Sequence, residues 1–240
     1  YYEADVTGGE ENRRERQSAM GVMIVLLAAG FAQLPQVDVP KHEFIREWLL
    51  CGPFPNPLAD GVSEYRHDET TLGYYIDYLE PIGGEEEVEP HEGLQFAAVD
   101  GEEYAWERHI SPTDYVDLCK VYTQNQGVVA YAACALDLET EGEIVLGLGS
   151  NDGIKAWLNG QVIWDNHRPR AAEPDQDYVR CQVRPGPNLL LLKIDQGFGK
   201  WGFYARVVER AEKVKALLEE AEPQIEIEVN AREDFIEVIM

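Results

Sequence analysis

The residues of this chain that could do chemistry gather between Asn151 and Asp177. Asp152, Asn166, His167 and Arg168 fall in turns between short apolar segments, and Trp157 and Trp164 stand on the segments themselves. Sugars present polar rims and apolar faces, so a site for them joins an aromatic platform to Asp, Asn, His or Arg donors and acceptors. That is the chemistry this spacing suits, with Trp157 and Trp164 as the platform. A second reading stands beside it, in which these tryptophans pack in a core or at its rim. Asn151, Asp152, Asp175 and Asp177 offer the hard oxygens that calcium prefers. The cofactor expectation is therefore none, or a structural calcium, and the spacing matches no compact calcium loop.

Other chemistry finds no support. Gly147-Leu-Gly149-Ser-Asn-Asp152 puts Asp where a dinucleotide fingerprint needs its third glycine, and it leads into a strand. There is no nucleophile elbow, phosphate loop or His-Glu-x-x-His. With 45 acids, many carboxylate pairs could be drawn and none stands out. The visible domain is expected to be non-catalytic, and the enzymatic status of the full-length protein stays open. A net charge of −25 repels phosphate backbones, which excludes nucleic acid as a partner. Four cysteines in 240 residues make no disulfide framework. They read as buried thiols, with one bridge as the alternative in an oxidising compartment.

The elements that must position these groups are strands. Residues 142–149 alternate branched apolar residues with glycine and break at Ser150-Asn151-Asp152-Gly153. Ile154, Ala156 and Leu158 then alternate with Lys155, Trp157 and Asn159, the pattern of a strand with one buried face. Asn159-Gly160 is a type I′ hairpin signal, because both positions need positive φ. The three segments are expected to form a meander that requires a second sheet to cover it.

Elsewhere, residues 44–51 read as a first strand that leaves its sheet at Gly52-Pro53-Phe54-Pro55, since proline cannot donate to a ladder. Residues 58–90 read as an excursion packed over one end of the sandwich by Tyr74, Tyr75, Tyr78 and Leu79, with Glu85-Glu86-Glu87 as a solvated loop. Residues 94–99 and 104–110 suggest a hairpin, 115–122 fit a strand or a helical turn, and 127–138 form a central strand. Segments at 178–183, 188–195 and 201–208 complete about nine strands, the count of an all-β sandwich.

The ends differ in kind. Residues 1–32 combine Arg13, Arg14 and Arg16 with an apolar run over 19–34 that is too short for a stable membrane span. They fit a secretory signal peptide or upstream leader cleaved after Ala32, which implies a secreted, periplasmic or cell-surface protein. Residues 33–208 form the sandwich domain. Residues 209–223 repeat apolar positions at three and four and read as an amphipathic linker helix ended by Pro223. Residues 224–240 read as the start of a further, truncated domain.

A family resemblance rests on particular residues. Gly-Ser-Asn-Asp-Gly-Ile-Lys-Ala-Trp-Leu-Asn-Gly at 149–160, Asp165-Asn166-His167, Gly186-Pro-Asn-Leu-Leu-Leu-Leu-Lys193 and Trp201-Gly-Phe-Tyr-Ala-Arg206 resemble the galactose-binding-like jelly-roll β-sandwich domains. Trp48-Leu-Leu-Cys-Gly-Pro-Phe-Pro55 resembles their opening strand. The resemblance spans roughly residues 48–208 and implies an antiparallel jelly roll of the kind found beside catalytic domains of secreted bacterial glycosidases and peptidases. It implies an accessory module that binds a polysaccharide or glycan and serves a C-terminal hydrolytic domain of the same chain. The alternative is a structural or protein-interaction sandwich that supports such a neighbour and binds no sugar.

Overall fold

The computed structural model describes residues 34–38, 43–60, 62, 71–210, 228–232 and 235–239. Alternating apolar residues cut by turn residues make short strands. In chain order these are β1 (Gln36–Asp38), β2 (Glu47–Pro55), β3 (Gln95–Ala97), β4 (Glu103–Ala105), β5 (Glu107–Ile110), β6 (Val116–Asp117), β7 (Val128–Leu138) and β8 (Gly142–Asn151). There follow β9 (Ile154–Leu158), β10 (Gln161–Asn166), β11 (Asp177–Val183), β12 (Gly186–Gln196), β13 (Gly202–Arg210), β14 (Glu228–Arg232) and β15 (Phe235–Ile239). Two one-turn helices, α1 (Gly84–Glu87) and α2 (Leu118–Val121), lie between them.

Two sheets form the sandwich. The larger runs β10-β9-β12-β7-β2-β5, with β1 parallel to β7 beyond the point where β2 stops pairing. The smaller runs β11-β8-β13-β6. Connections from β8 onward pass repeatedly between the sheets, which is the jelly-roll way of closing a double sheet. The expectation of an antiparallel all-β sandwich holds.

The central strands of the larger sheet are buried on both faces. On β7, Val128, Ala130, Ala132, Cys134 and Leu136 point between the sheets, while Val129, Tyr131, Ala133 and Ala135 enter a second cluster on the outer face. Strands covered on both sides read as continuous apolar runs rather than alternating ones. The outer cover is the segment from Tyr74 to Trp106, whose Tyr78, Leu79, Val88, Phe96 and Trp106 join that second cluster. From Tyr78 onward the excursion therefore lies over a sheet face, while Tyr74 and Tyr75 stay at one end of the sandwich. Tyr75 is left 58% exposed.

Several expectations need correction. β8 and β9 belong to different sheets, so Ser150–Gly153 is a crossover and the meander does not form. Only the β9–β10 half is a hairpin, with Asn159 and Gly160 at φ 51° and 80°. β2 does not end at Cys51: Phe54 and Pro55 still pair with Val129 and Val128 after a register shift. Proline is tolerated there because β5 pairs only with Glu47–Leu50, leaving β2 a bare outer edge. The expected hairpin over 94–110 closes at Ala105, and β5 goes on to join the larger sheet. Residues 115–122 supply both β6 and α2.

Glu209 and Arg210 are strand, paired with Val145 and Ile144 after a bulge in β13, and so lie outside any helix. The rest of the expected linker helix, 211–223, lies outside the described residues, as does the leader at 1–32. The tail carries a β14–β15 hairpin.

All four cysteines are free thiols. Burial pushes Cys51 and Cys134 above the ordinary thiol value of 9.0, and Cys181 up to about 12. Burial, reinforced by Asp165 and Glu85 respectively, likewise raises the phenols of Tyr74 and Tyr131 above 10.0. A group whose pKa is raised by folding contributes stability fully below its unfolded value and loses it as pH rises toward the folded one. Lys193, lowered mainly by burial, acts oppositely up to 10.5, but it is one group against five. Unfolding free energy should therefore fall from about pH 9 as the three thiols act against the one lysine, and more steeply above about pH 10 where the phenols join, each group contributing up to about 1.4 kcal/mol per pH unit. Urea midpoints at pH 8, 9 and 10 check this, and a flat profile would refute it.

Candidate functional site

Of the expected loop residues, Asp152 and His167 both reach Asp195, at the end of the sandwich where the chain crosses from β8 to β9. The crossing is tied to the end of β12, Asp152 N–H donating to Asp195 O at 3.0 Å and Asp195 N–H to Gly153 O at 3.2 Å. His167, just past β10, sits against the same strand end. Its Nε2 lies 3.2 Å from Asp195 Oδ2 and 2.9 Å from Thr71 Oγ1, and its Nδ1 lies 3.1 Å from the Tyr75 hydroxyl. The ring stacks on Tyr74 with centroids 4.0 Å apart and planes 5° apart. Tyr74 in turn donates to Asp165 Oδ1 at 2.7 Å. His167 is thus held on both faces of its function, as a ring by stacking and as a polar group by hydrogen bonds.

Around it the polar groups continue. Asp152 Oδ2 accepts from Gly197 N–H at 3.1 Å, and Asn166 Nδ2 reaches Asp177 Oδ1 at 3.4 Å. Arg170 bridges Ser150 Oγ and the Asp177 carboxylate, so the crossover and the β10–β11 loop are locked together. Arg168 is exposed to solvent. Asp195 is 3% exposed, and its Oδ1 has no hydrogen-bond partner among the described residues.

The tryptophans are elsewhere. Trp157 is 1% exposed and belongs to the outer cluster beneath the covering segment, with Lys155 Nζ 5.2 Å from its ring. It does lie on the face opposite Ile154, Ala156 and Leu158, as its period-2 position requires. Trp164 is half-buried against the inter-sheet core. At Trp157 the expected platform is therefore corrected: a β-strand side chain on a covered face cannot present an open ring.

The aromatic group at this end is Tyr75, missed in the sequence because it lay in an excursion read only as packing. Its exposed ring meets His167 edge-on at 5.2 Å and 85°. The neighbouring Leu72 is 41% exposed.

The calcium set does not assemble. Asp175 gives its carboxylate to Arg206, with Nε at 2.8 Å, and Asp177 gives its own to Arg170. Asn151 lies at the end of β8, paired with Gly202 of β13. Among the described residues no three His, Cys, Asp or Glu side chains are arranged to hold a metal ion. Arginines already neutralise the carboxylates of Asp175 and Asp177. The placement of Asp175 also explains two glycines: a Cβ on Gly147 would lie 2.2 Å from Asp175 Oδ1, and one on Gly149 would lie 1.9 Å from Glu173 O. They admit the 173–175 loop across the outer face of the smaller sheet.

No family model matches the chain, and no curated protein matches its sequence. Among solved structures it is similar to a β-glucosidase from Kluyveromyces marxianus, at 14% identity and TM-score 0.38, covering 73% of this chain and 18% of that one. It is similar to a family 35 carbohydrate-binding module from Clostridium thermocellum, at 14% identity and TM-score 0.29, over 37% of this chain and 75% of the module. It is also similar to a PA14 sugar-binding domain from an RTX adhesin, at 11% identity and TM-score 0.34, over 68% and 89%. The chain thus spans under a fifth of the β-glucosidase. Among the described residues no helix is long and apolar enough to cross a membrane.

Proposed function

We propose that this chain is an exported, non-catalytic glycan-binding module, and that the sandwich end carrying Tyr75, His167, Asp152, Asn166 and Arg168 is its binding surface. One observation carries the reading: an exposed tyrosine ring set against a histidine whose orientation is fixed by Tyr74, Thr71 and Asp195. An aromatic face offers the apolar side of a sugar a platform, and pre-oriented polar groups around it meet hydroxyls at low ordering cost. The residues that supported export lie in the leader. An accessory role beside a hydrolytic domain follows from the same resemblance, with binding raising local substrate concentration by effective molarity. Calcium has no part in the proposal.

The full chain is titrated against a panel of polysaccharides, in calcium and in chelator, beside Tyr75→Ala and Arg168→Ala. Both side chains are exposed, so the fold should survive either change. Selective binding that falls roughly 5- to 30-fold in Tyr75→Ala and is unaffected by chelator is the expected result, since one lost stacking contact is worth about 1–2 kcal/mol. No binding to any polysaccharide by the folded chain would leave the structural-module alternative.

A further inference from the structure

The sandwich end that carries Tyr75 also collects exposed apolar side chains. Among the described residues seven large hydrophobics stand exposed, and three of them, Leu72, Tyr75 and Phe198, are on loops at this end. Single exposed hydrophobics are ordinary on a protein surface, whereas several together mark a contact surface. Phe198 is 64% exposed, more than Tyr75, and lies between Gly197 and Gly199 in the connection from β12 to β13.

Hydrogen bonds tie the Phe198 loop to the Tyr75 surface by two routes. On one side Gly197 N–H donates to Asp152 Oδ2 and Asp152 N–H to Asp195 O, while Asp195 Oδ2 lies against His167 Nε2 and His167 Nδ1 against the Tyr75 hydroxyl. On the other, Gly127 N–H donates to Gly197 O at 2.8 Å, Asn56 N–H to Gly127 O at 2.8 Å, Leu72 N–H to Pro57 O at 2.7 Å and Tyr75 N–H to Leu72 O at 3.0 Å. The two routes close a circuit around the end of the sandwich. Tyr75 and Phe198 stand on opposite sides of it, with Asp152 and His167 on one arc and Leu72 on the other. The Phe198 loop is thus pinned at its base, while a Cβ on Gly199 would meet nothing among the described residues within 4 Å.

We infer that Phe198 is a second platform of this surface, and that the surface takes a chain of at least two sugar units rather than a single sugar. The inference rests on the glycan reading of the Tyr75 surface and adds the size of what it holds. The polar groups gather beside Tyr75, so the first unit sits there, with its hydroxyls met by His167 and its neighbours. Phe198 offers a ring face and no hydrogen-bonding group, which suits it to cover the apolar side of a further unit and gives it no hold on the first. A ring carried on a pinned loop loses little freedom when that unit arrives.

The test takes the polysaccharide that binds most tightly in the panel above, with its purified fragments of one, two, three and four units. Each is titrated against the full chain and against Phe198→Ala, Phe198→Tyr and Ile110→Ala. Ile110 is the control for losing an exposed apolar side chain, being 65% exposed and paired with Glu47 at the start of β2, the end of that strand away from Asn56. In wild type, affinity should rise about 5- to 30-fold between one unit and the fragment that first reaches Phe198, the worth of one aromatic contact. Phe198→Ala should remove that rise and leave one-unit affinity within about twofold of wild type. Phe198→Tyr should keep the rise, and Ile110→Ala should match wild type at every length. A flat length dependence in wild type, an equal loss at every length in Phe198→Ala, or an undiminished rise in that variant would overturn the inference and leave the Tyr75 surface standing. No binding of any polysaccharide by the folded chain would overturn both.

Discussion

Glu85→Ala should cost about 3–5 kcal/mol of stability, the largest effect expected of any single charged residue here, because it strands a buried cation. Lys193 is wholly buried on the outer face of β12. Its Nζ donates to Ile76 O at 2.6 Å and to Glu85 Oε1 at 2.9 Å, and it lies 5.3 Å from the Tyr131 ring and 5.8 Å from that of Tyr78. Tyr131 donates to the same Glu85 oxygen at 2.6 Å. Desolvation lowers the lysine pKa and Glu85 opposes that shift. Without Glu85 the lysine must shed its proton or leave the interior.

Two readouts separate this from simple loss of packing. The stability gap between variant and wild type should narrow as pH rises toward 10.5, because a lysine with a depressed folded pKa gains stability as the solution itself removes the proton. The double change Glu85→Leu/Lys193→Met should recover most of the loss, since a buried ion pair replaced as a unit by apolar side chains is often neutral. Urea unfolding at pH 7 and 10 measures both. A loss under 1 kcal/mol in Glu85→Ala would show that the pair is solvated and does not pin the covering segment.

Trp157→Ala should cost about 3–5 kcal/mol, the range for emptying a large aromatic from a core. The ring sits on β9 between Val162 of β10 and Leu191 of β12, and below the covering segment. Its removal opens a cavity next to Lys155 and Asp77, in a hollow of about 370 Å³ that Trp157 itself helps to line. Trp164→Ala should cost less, because Trp164 is only half-buried. If Trp157→Ala abolished glycan binding while the urea midpoint stayed at the wild-type value, the ring would be a platform after all and its burial irrelevant to function.

The two predictions bear on the same oversight. Glu85-Glu86-Glu87 reads as a solvated acidic run, yet α1 turns Glu85 inward to a lysine 108 residues away in sequence. Charge runs say how polar a segment is on average and nothing of which member finds a partner. Trp157 shows the complementary case. Its alternation with Ile154, Ala156 and Leu158 places it on the opposite face, and only the segment folded over that face decides that it is buried.

What the sequence by itself determined is local. Alternation set most of the strands, Asn159-Gly160 set the β9–β10 turn through its need for positive φ, and the apolar run in β7 marked a central strand. The acidic balance and the absence of catalytic motifs narrowed the chemistry. What only the tertiary structure decided is which strands share a sheet, where the excursion lands, and which polar groups are already spent. Ser150–Gly153 looks like a hairpin turn and is a crossover, because turn residues specify a change of direction and not the sheet that receives the chain. Asp175 and Asp177 look like calcium ligands and hold arginines, because pairing depends on distances between residues far apart in the chain. The exposed ring of Tyr75 arises in the same way, from a surface that exists only once separate segments have packed.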